Sequence, residues 1–255
     1  MLLKELALGS RLALGLDPND EDQTWMKVSD DGFFLAERKV GFMSYDYYEP
    51  DNTSRSRRSN GNNFWPHSNV CQWLNAHGEN WWVPAHRYDR IRSAYYGAGF
   101  LDRFTPEELA IMMDIETTTL VPLGSRKEYG KTCTNTYKVV LPSFSQVYSG
   151  RCDETFEGKD QFSIEGALLP GIEMFQRAHE IGIVTRTGVV DAGHIVISNT
   201  TWYDSRPASD GFHMFPMIKL SGEAQIGDKP SREGIYRLPI AEAAPDDAFF
   251  QLISL

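Results

Sequence analysis

Apolar positions in this chain come in short runs broken by polar turns, and helical spacing is confined to a few segments. Runs at residues 25–28 and 32–36, separated by Asp30-Asp31-Gly32, predict two strands joined by a hairpin turn. Residues 1–50 as a whole read as β-rich, and residues 51–63 as a polar loop of Asn, Ser and Arg. Ser68 predicts an N-cap. Val70, Trp73 and Leu74 follow at helical spacing, and Asn75 and Gly78 supply the stop. A sharper signal follows: Thr105 at N-cap, Pro106 at N1 and Glu108 at N3 form a capping box. Leu109, Ile111, Met112, Met113 and Ile115 then predict a broad apolar helix side. Between the two helices lies an aromatic, loop-like stretch, residues 81–97. Strands are expected at 117–121, 137–141, 181–187, 194–198 and 215–220, with a short helix after the Ser143/Gln146 box. Many short strands and few helices predict an α+β fold. Residues 1–222 read as one domain, and residues 223–255 as a C-terminal extension or arm ending in the apolar run 249–253.

Composition narrows the function classes. The chain has 255 residues, 41% hydrophobic and 12% aromatic, enough for a substantial core. Its net charge of −10 argues against sequence-independent nucleic-acid binding, which works by neutralising phosphates. The basic cluster Arg55-Ser-Arg-Arg58 reads as a solvated loop. Three scattered cysteines, Cys71, Cys133 and Cys152, make neither a disulfide framework nor a zinc ligand set. The apolar start is short and interrupted by Lys4 and Glu5, so no signal peptide is expected. No run approaches the ~20 residues of a membrane span.

Catalytic motifs are missing. The chain has no GxSxG, P-loop, HExxH or GxGxxG. Six histidines are scattered, and His86, with Asp89 three residues on, reads as a loop histidine. The acidic run 17–22 lacks the glycine and distal glutamate of an EF-hand loop and reads as a solvated turn. Glu49-Pro-Asp-Asn52 resembles the Glu-Pro-Asn calcium and sugar motif of C-type lectins, but Asp51 breaks the spacing. No metal, no cofactor and no enzymatic activity are expected. Aromatics among polar residues are more suggestive. Trp202, Tyr203, Asp204, Arg206, Phe212 and His213, in a stretch 199–214 rich in turn formers, suit a displayed recognition loop.

Three motifs carry a resemblance: Asn60-Gly-Asn-Asn63, Ser68-Asn-Val-Cys-Gln-Trp-Leu-Asn75 and Gly99-Phe-Leu-Asp-Arg-Phe-Thr-Pro-Glu-Glu108. The strand and Leu-Pro-Ser element at 140–147 and Thr185-Arg-Thr187 extend it. Over about residues 1–222 the chain resembles a family of domains of unknown function found in phages, prophages and Gram-positive gut bacteria. The family's closing Arg-Pro-Ala element is half kept, with Phe215 in place of arginine. The resemblance implies a C-type-lectin-like mixed fold of short strands and long loops with two main helices. It also implies a structural virion protein, assembled in the host cytoplasm. The roles it suggests are a tail-fibre, baseplate or receptor-binding adhesin. Its partners would be other virion subunits, further copies of itself, and host surface glycan, without nucleic acid or membrane insertion. Alternatives are a head-decoration protein without host contact, a particle-borne cell-wall or polysaccharide hydrolase, or a bacterial surface binding module.

Overall fold

A computed structural model describes residues 1–91, 97–122, 129–149, 168–179, 182–186, 194–227 and 229–239. The fold is mixed α+β, with many strands and few, short helices. The main sheet is built on a meander of β1 (Arg11–Leu16), β2 (Asp22–Lys27) and β3 (Phe33–Ala36), all antiparallel. The predicted turn joins β2 to β3, with Gly32 at φ +86°, a backbone setting that disfavours side chains. β13 (Met217–Leu220) lies on the far side of β3, and its own far edge is shared. Met217 and Ile218 pair with β8 (Val139–Val140), and Lys219 and Leu220 pair with β5 (Met112–Met113).

β2 is buried on both faces, which explains its unusual contents. Trp25 donates from its indole N–H to the Leu14 carbonyl at 2.8 Å. Lys27 is buried too, and its ammonium donates to the Leu6 carbonyl at 2.6 Å. Beside the sheet, Trp73, Phe100, Phe104 and Trp25 form a chain of ring contacts with centroids 5.2–6.2 Å apart. Gly99 permits that approach: a Cβ there would meet the Ala76 carbonyl oxygen at 2.1 Å.

All three predicted helix caps are present. Ser68 accepts from the Cys71 amide at the start of α2 (Asn69–Leu74). Thr105 and Glu108 form a reciprocal box at α3 (Pro106–Ile111), as do Ser143 and Gln146 at α4 (Phe144–Val147). Asn75, at the end of α2, accepts from the Lys138 and Val139 amides and donates to the Val139 carbonyl, tying helix to strand.

Several elements differ from the expectation. α3 ends at Ile111; Met112 turns to extended backbone and joins the main sheet, and Ile115 opens β6 (Ile115–Pro122). The expected apolar helix side is therefore split between a helix that buries nothing fully and two strands, because β13 offers Met112–Met113 a pairing edge. The 137–141 strand is broken at Lys138, where β7 (Tyr129–Tyr137) ends its pairing with β6 and β8 begins. The polar 51–63 stretch contains α1 (Arg55–Asn60), a surface helix with no fully buried residue. A helix that was not expected, α5 (Ile172–His179), buries Ile172, Phe175 and Gln176. Phe215, where the resembled family has arginine, packs against Phe175 at 6.2 Å, so that corner is apolar.

The stretch 199–214 is not one continuous loop: residues 203–207 and 211–214 are strand, with turns at 199–202 and 208–210. β10 (His194–Ser198) pairs with β9 (Ile183–Val184) and with β11 (Tyr203–Pro207), and β12 (Gly211–Met214) pairs with β4 (Gly41–Ser44). β11 alternates exposed with half-buried residues, and β12 sets exposed His213 between buried Phe212 and Met214, a pattern that antiparallel pairing with solvent on one face accommodates. Residues 223–239 bring Ile226 into the core and add β14 (Ile235–Tyr236) parallel to β1. The apolar run 249–253 and Cys152 lie outside the described residues. Among the described residues no helix is long and apolar enough to cross a membrane.

Candidate functional site

The six residues expected to bind divide on the structure. Trp202 is 46% exposed at the turn joining β10 to β11. That turn is held by Asn199, whose side-chain oxygen accepts from the Thr201 and Trp202 amides at 2.8 and 2.9 Å. The Trp202 ring lies over Gly182, where a Cβ would come within 2.9 Å of it. Asp204 and Arg206 form an ion pair at 2.8 Å, both about half exposed. His213 is exposed and meets Phe42 edge-on at 5.0 Å. Burial, with Lys39 nearby, holds its pKa below the usual imidazole value.

Two of the six are framework. Tyr203 is half-buried, with ring contacts to Phe144 at 5.4 Å and Tyr148 at 5.3 Å. Phe212 is buried in the core. The set also spans two sheets, since β11 pairs with β10 and β12 with β4. The surface that remains is Trp202 with the Asp204–Arg206 pair.

A second constellation went unread in the sequence. Glu49, His86 and Asp89 offer one ligand atom each, all within 4.8 Å of one another. Glu49 begins a turn in which the Asn52 amide donates to the Glu49 carbonyl at 2.9 Å, and the Asn52 side-chain N–H donates to Glu49 Oε2. Asp89 closes a second turn: its Oδ2 accepts from the amides of Ala85 and His86, the latter at 3.3 Å. His86 Nε2 then stands 3.0 Å from Asp89 Oδ1 and 3.3 Å from Glu49 Oε1. Its Nδ1 accepts from the Tyr88 amide at 3.2 Å.

The surroundings are polar and buried. Asp46 accepts from the Asn62 amide at 3.0 Å and the Asn69 amide at 3.3 Å, anchoring the start of α2. Burial first, with the Asp89 and Glu49 charges adding to it, pushes the Asp46 carboxyl well above the ordinary range. Burial likewise raises Glu49, opposed by Asn52 and by the His86 and Arg57 charges. Burial also holds His67 below its usual value. Arg57 brings a guanidinium nitrogen to 3.4 Å from His86 Nε2.

Two carboxylates this close raise glycoside hydrolysis, where acid and nucleophile or base stand roughly 5–10 Å apart. Glu49 argues against it. With 0% exposure, its carboxylate cannot reach a glycosidic oxygen. The sequence did contain both halves, Glu49-Pro-Asp-Asn52 and the His86/Asp89 pair. Only the approach of the 81–91 segment to the Glu49 turn reveals them as one group. The acidic run 17–22 is likewise more than a solvated turn. Asp17 is buried, accepting from the Asn19 and Glu21 amides, and ion-paired to Arg38 at 3.3 Å. Comparison with known proteins finds no matching family model, no matching curated protein and no matching solved structure.

Proposed function

We propose that this chain is a non-catalytic structural protein of a phage or prophage particle, with a C-type-lectin-like arrangement, that contacts host surface glycan or a neighbouring subunit through the β10–β11 hairpin. The observation that carries the reading is Trp202, a large aromatic face left 46% exposed at a turn its neighbours hold rigid. Sugar rings stack on flat apolar faces, and the adjacent Asp204–Arg206 pair supplies donors and acceptors at the rim. The positions behind the family resemblance support a framework role for the helical half. Asn62, Asn63, Ser68, Trp73, Leu74, Phe100 and Leu101 are all buried. The motifs also hold exposed positions such as Asp102 and Glu107, but their large apolar members are scaffold, which suits a family that keeps its frame while its contact surface varies.

The test replaces Trp202, Asp204 and Arg206 together by Ala, sparing Tyr203. Attachment to host cells or isolated wall glycan should fall at least roughly tenfold, with melting unchanged within a few degrees. Undiminished attachment by a folded triple variant would move the contact surface elsewhere.

A further inference from the structure

The Glu49–His86–Asp89 group has the anatomy of a ligand set. On each carboxylate one oxygen is anchored by protein N–H groups: Glu49 Oε2 by Asn52, Asp89 Oδ2 by Ala85 and His86. The other oxygen of each faces His86 Nε2. Outer hydrogen bonds that orient an inner set in this way are how proteins hold metal ligands. The facing oxygens are not both satisfied. His86 Nδ1 accepts the Tyr88 amide proton at 3.2 Å, a closer contact than the 3.4 Å approach of the Arg57 guanidinium to Nε2, and a neutral ring with that acceptor carries its own proton on Nε2. One N–H cannot serve two oxygens well. Asp89 Oδ1 is the nearer, and Glu49 Oε1 has no hydrogen-bond partner among the described residues. It belongs to a side chain with 0% exposure, so water does not solvate it from the surface.

We propose that Glu49, His86 and Asp89 bind one Zn²⁺ ion that staples the 81–91 segment to the Glu49 turn. Zinc bonds to nitrogen and carboxylate oxygen run about 2.0–2.2 Å, which puts two ligands of a tetrahedral ion roughly 3.3–3.5 Å apart. The separations from His86 Nε2 are 3.0 and 3.3 Å. The remaining one, Glu49 to Asp89, is within 4.8 Å, and on loading the two carboxylates would have to draw together by up to about 1.4 Å. One imidazole with two carboxylates suits zinc; calcium and magnesium prefer all-oxygen shells. The Arg57 guanidinium, 3.4 Å from Nε2, offsets part of the charge of the two carboxylates beside buried Asp46, and a dication bound among them would take up the rest. The His86 ring is 27% exposed, leaving the group open on that side for a water ligand. On loading, Nε2 gives its lone pair to the ion and the ring proton moves to Nδ1, so the Tyr88 amide loses its acceptor. The ion's role is structural: it joins two turns that are distant in the chain. The inference stands apart from the particle reading, since either can fail alone.

The test is calorimetric titration of chelator-treated full-length protein with zinc chloride. It should show one ion per chain at micromolar concentrations and a melting temperature raised by several degrees. His86→Ala and Glu49→Gln should each weaken binding by roughly tenfold or more, and the Tyr88 amide resonance should shift on loading of the wild type only. No stoichiometric uptake at sub-millimolar zinc would overturn the proposal. So would equal uptake by both variants, which would assign the zinc to other histidines. Tighter binding of calcium than of zinc would overturn it as well. If Glu49→Gln does not fold, His86→Ala decides alone, because that ring is partly exposed and packs into no core.

Discussion

The segment 45–104 and the hairpin 194–207 use similar polar residues in opposite ways. In the first, Asp46, Asn62, Ser68, Asn69 and Asn75 bond backbone groups, Asn62 and Ser68 close by in the chain and Asp46, Asn69 and Asn75 in other segments, so their side chains act as internal ties. In the second, Asp204 and Arg206 face solvent and pair with each other, while strand hydrogen bonds hold the backbone. An inward polar group must find its partner in the protein or leave a costly unpaired atom. An outward one is free to exchange water for a ligand. The comparison teaches that binding potential here follows where a side chain points, and that aromatic or charged composition alone is a poor guide to it.

The largest effect should come from the inward side. Trp73 is buried against Phe100, with the Arg103 guanidinium 5.4 Å from its ring centroid. Trp73→Ala should cost about 3–5 kcal/mol of unfolding free energy by denaturant titration. A loss below about 1 kcal/mol would break the contrast by making α2 peripheral.

A pair of substitutions tests the boundary within the hairpin. Tyr203→Ala removes the ring contacts to Phe144 and Tyr148 and should cost about 1–2 kcal/mol. Trp202→Ala should cost less than about 1 kcal/mol, as befits a surface position. Equal losses would mean that Trp202 is framework too, and the hairpin would lose its distinction from the helical half.

The smallest effect concerns an exposed tie. Asp102 accepts from the Gly78 amide at 2.7 Å and meets His77 Nδ1 at 2.7 Å, and these contacts hold its carboxyl below the ordinary value. A depressed folded-state pKa stabilises the protein above the unfolded value, about 3.9, and that contribution fades as pH falls through the folded value. Asp102→Asn should therefore be slightly less stable than the parent at neutral pH, with the gap narrowing below about pH 4. A gap that is constant from pH 7 to pH 3 would assign the effect to packing.

What could be read locally was read well. The caps at Ser68, Thr105 and Ser143 each act within three residues, so the chain itself displays both partners. The β2–β3 hairpin was legible for the same reason, its turn residues lying between two apolar runs. α5 could have been found, since Ile172, Phe175 and Gln176 have helical spacing, but half of its eight residues are polar and one of its apolar ones, Met174, faces solvent, which blurs the pattern. The limits of α3 could not. Met112 and Met113 extend its apolar pattern, and only the free edge of β13 draws them into a strand.

The sequence by itself determined where the three capped helices start, that a turn joins β2 to β3, and that Trp73 and Leu74 must be covered. These depend on contacts within a few residues and on the transfer of apolar surface from water. Tertiary structure alone decided that 203–207 and 211–214 are paired strands, that Phe212 is core while Trp202 is surface, and that Glu49 meets His86 and Asp89. Each of those outcomes rests on segments far apart in the chain closing on one another. The spacing of residues along one segment carries no record of the partner that will arrive.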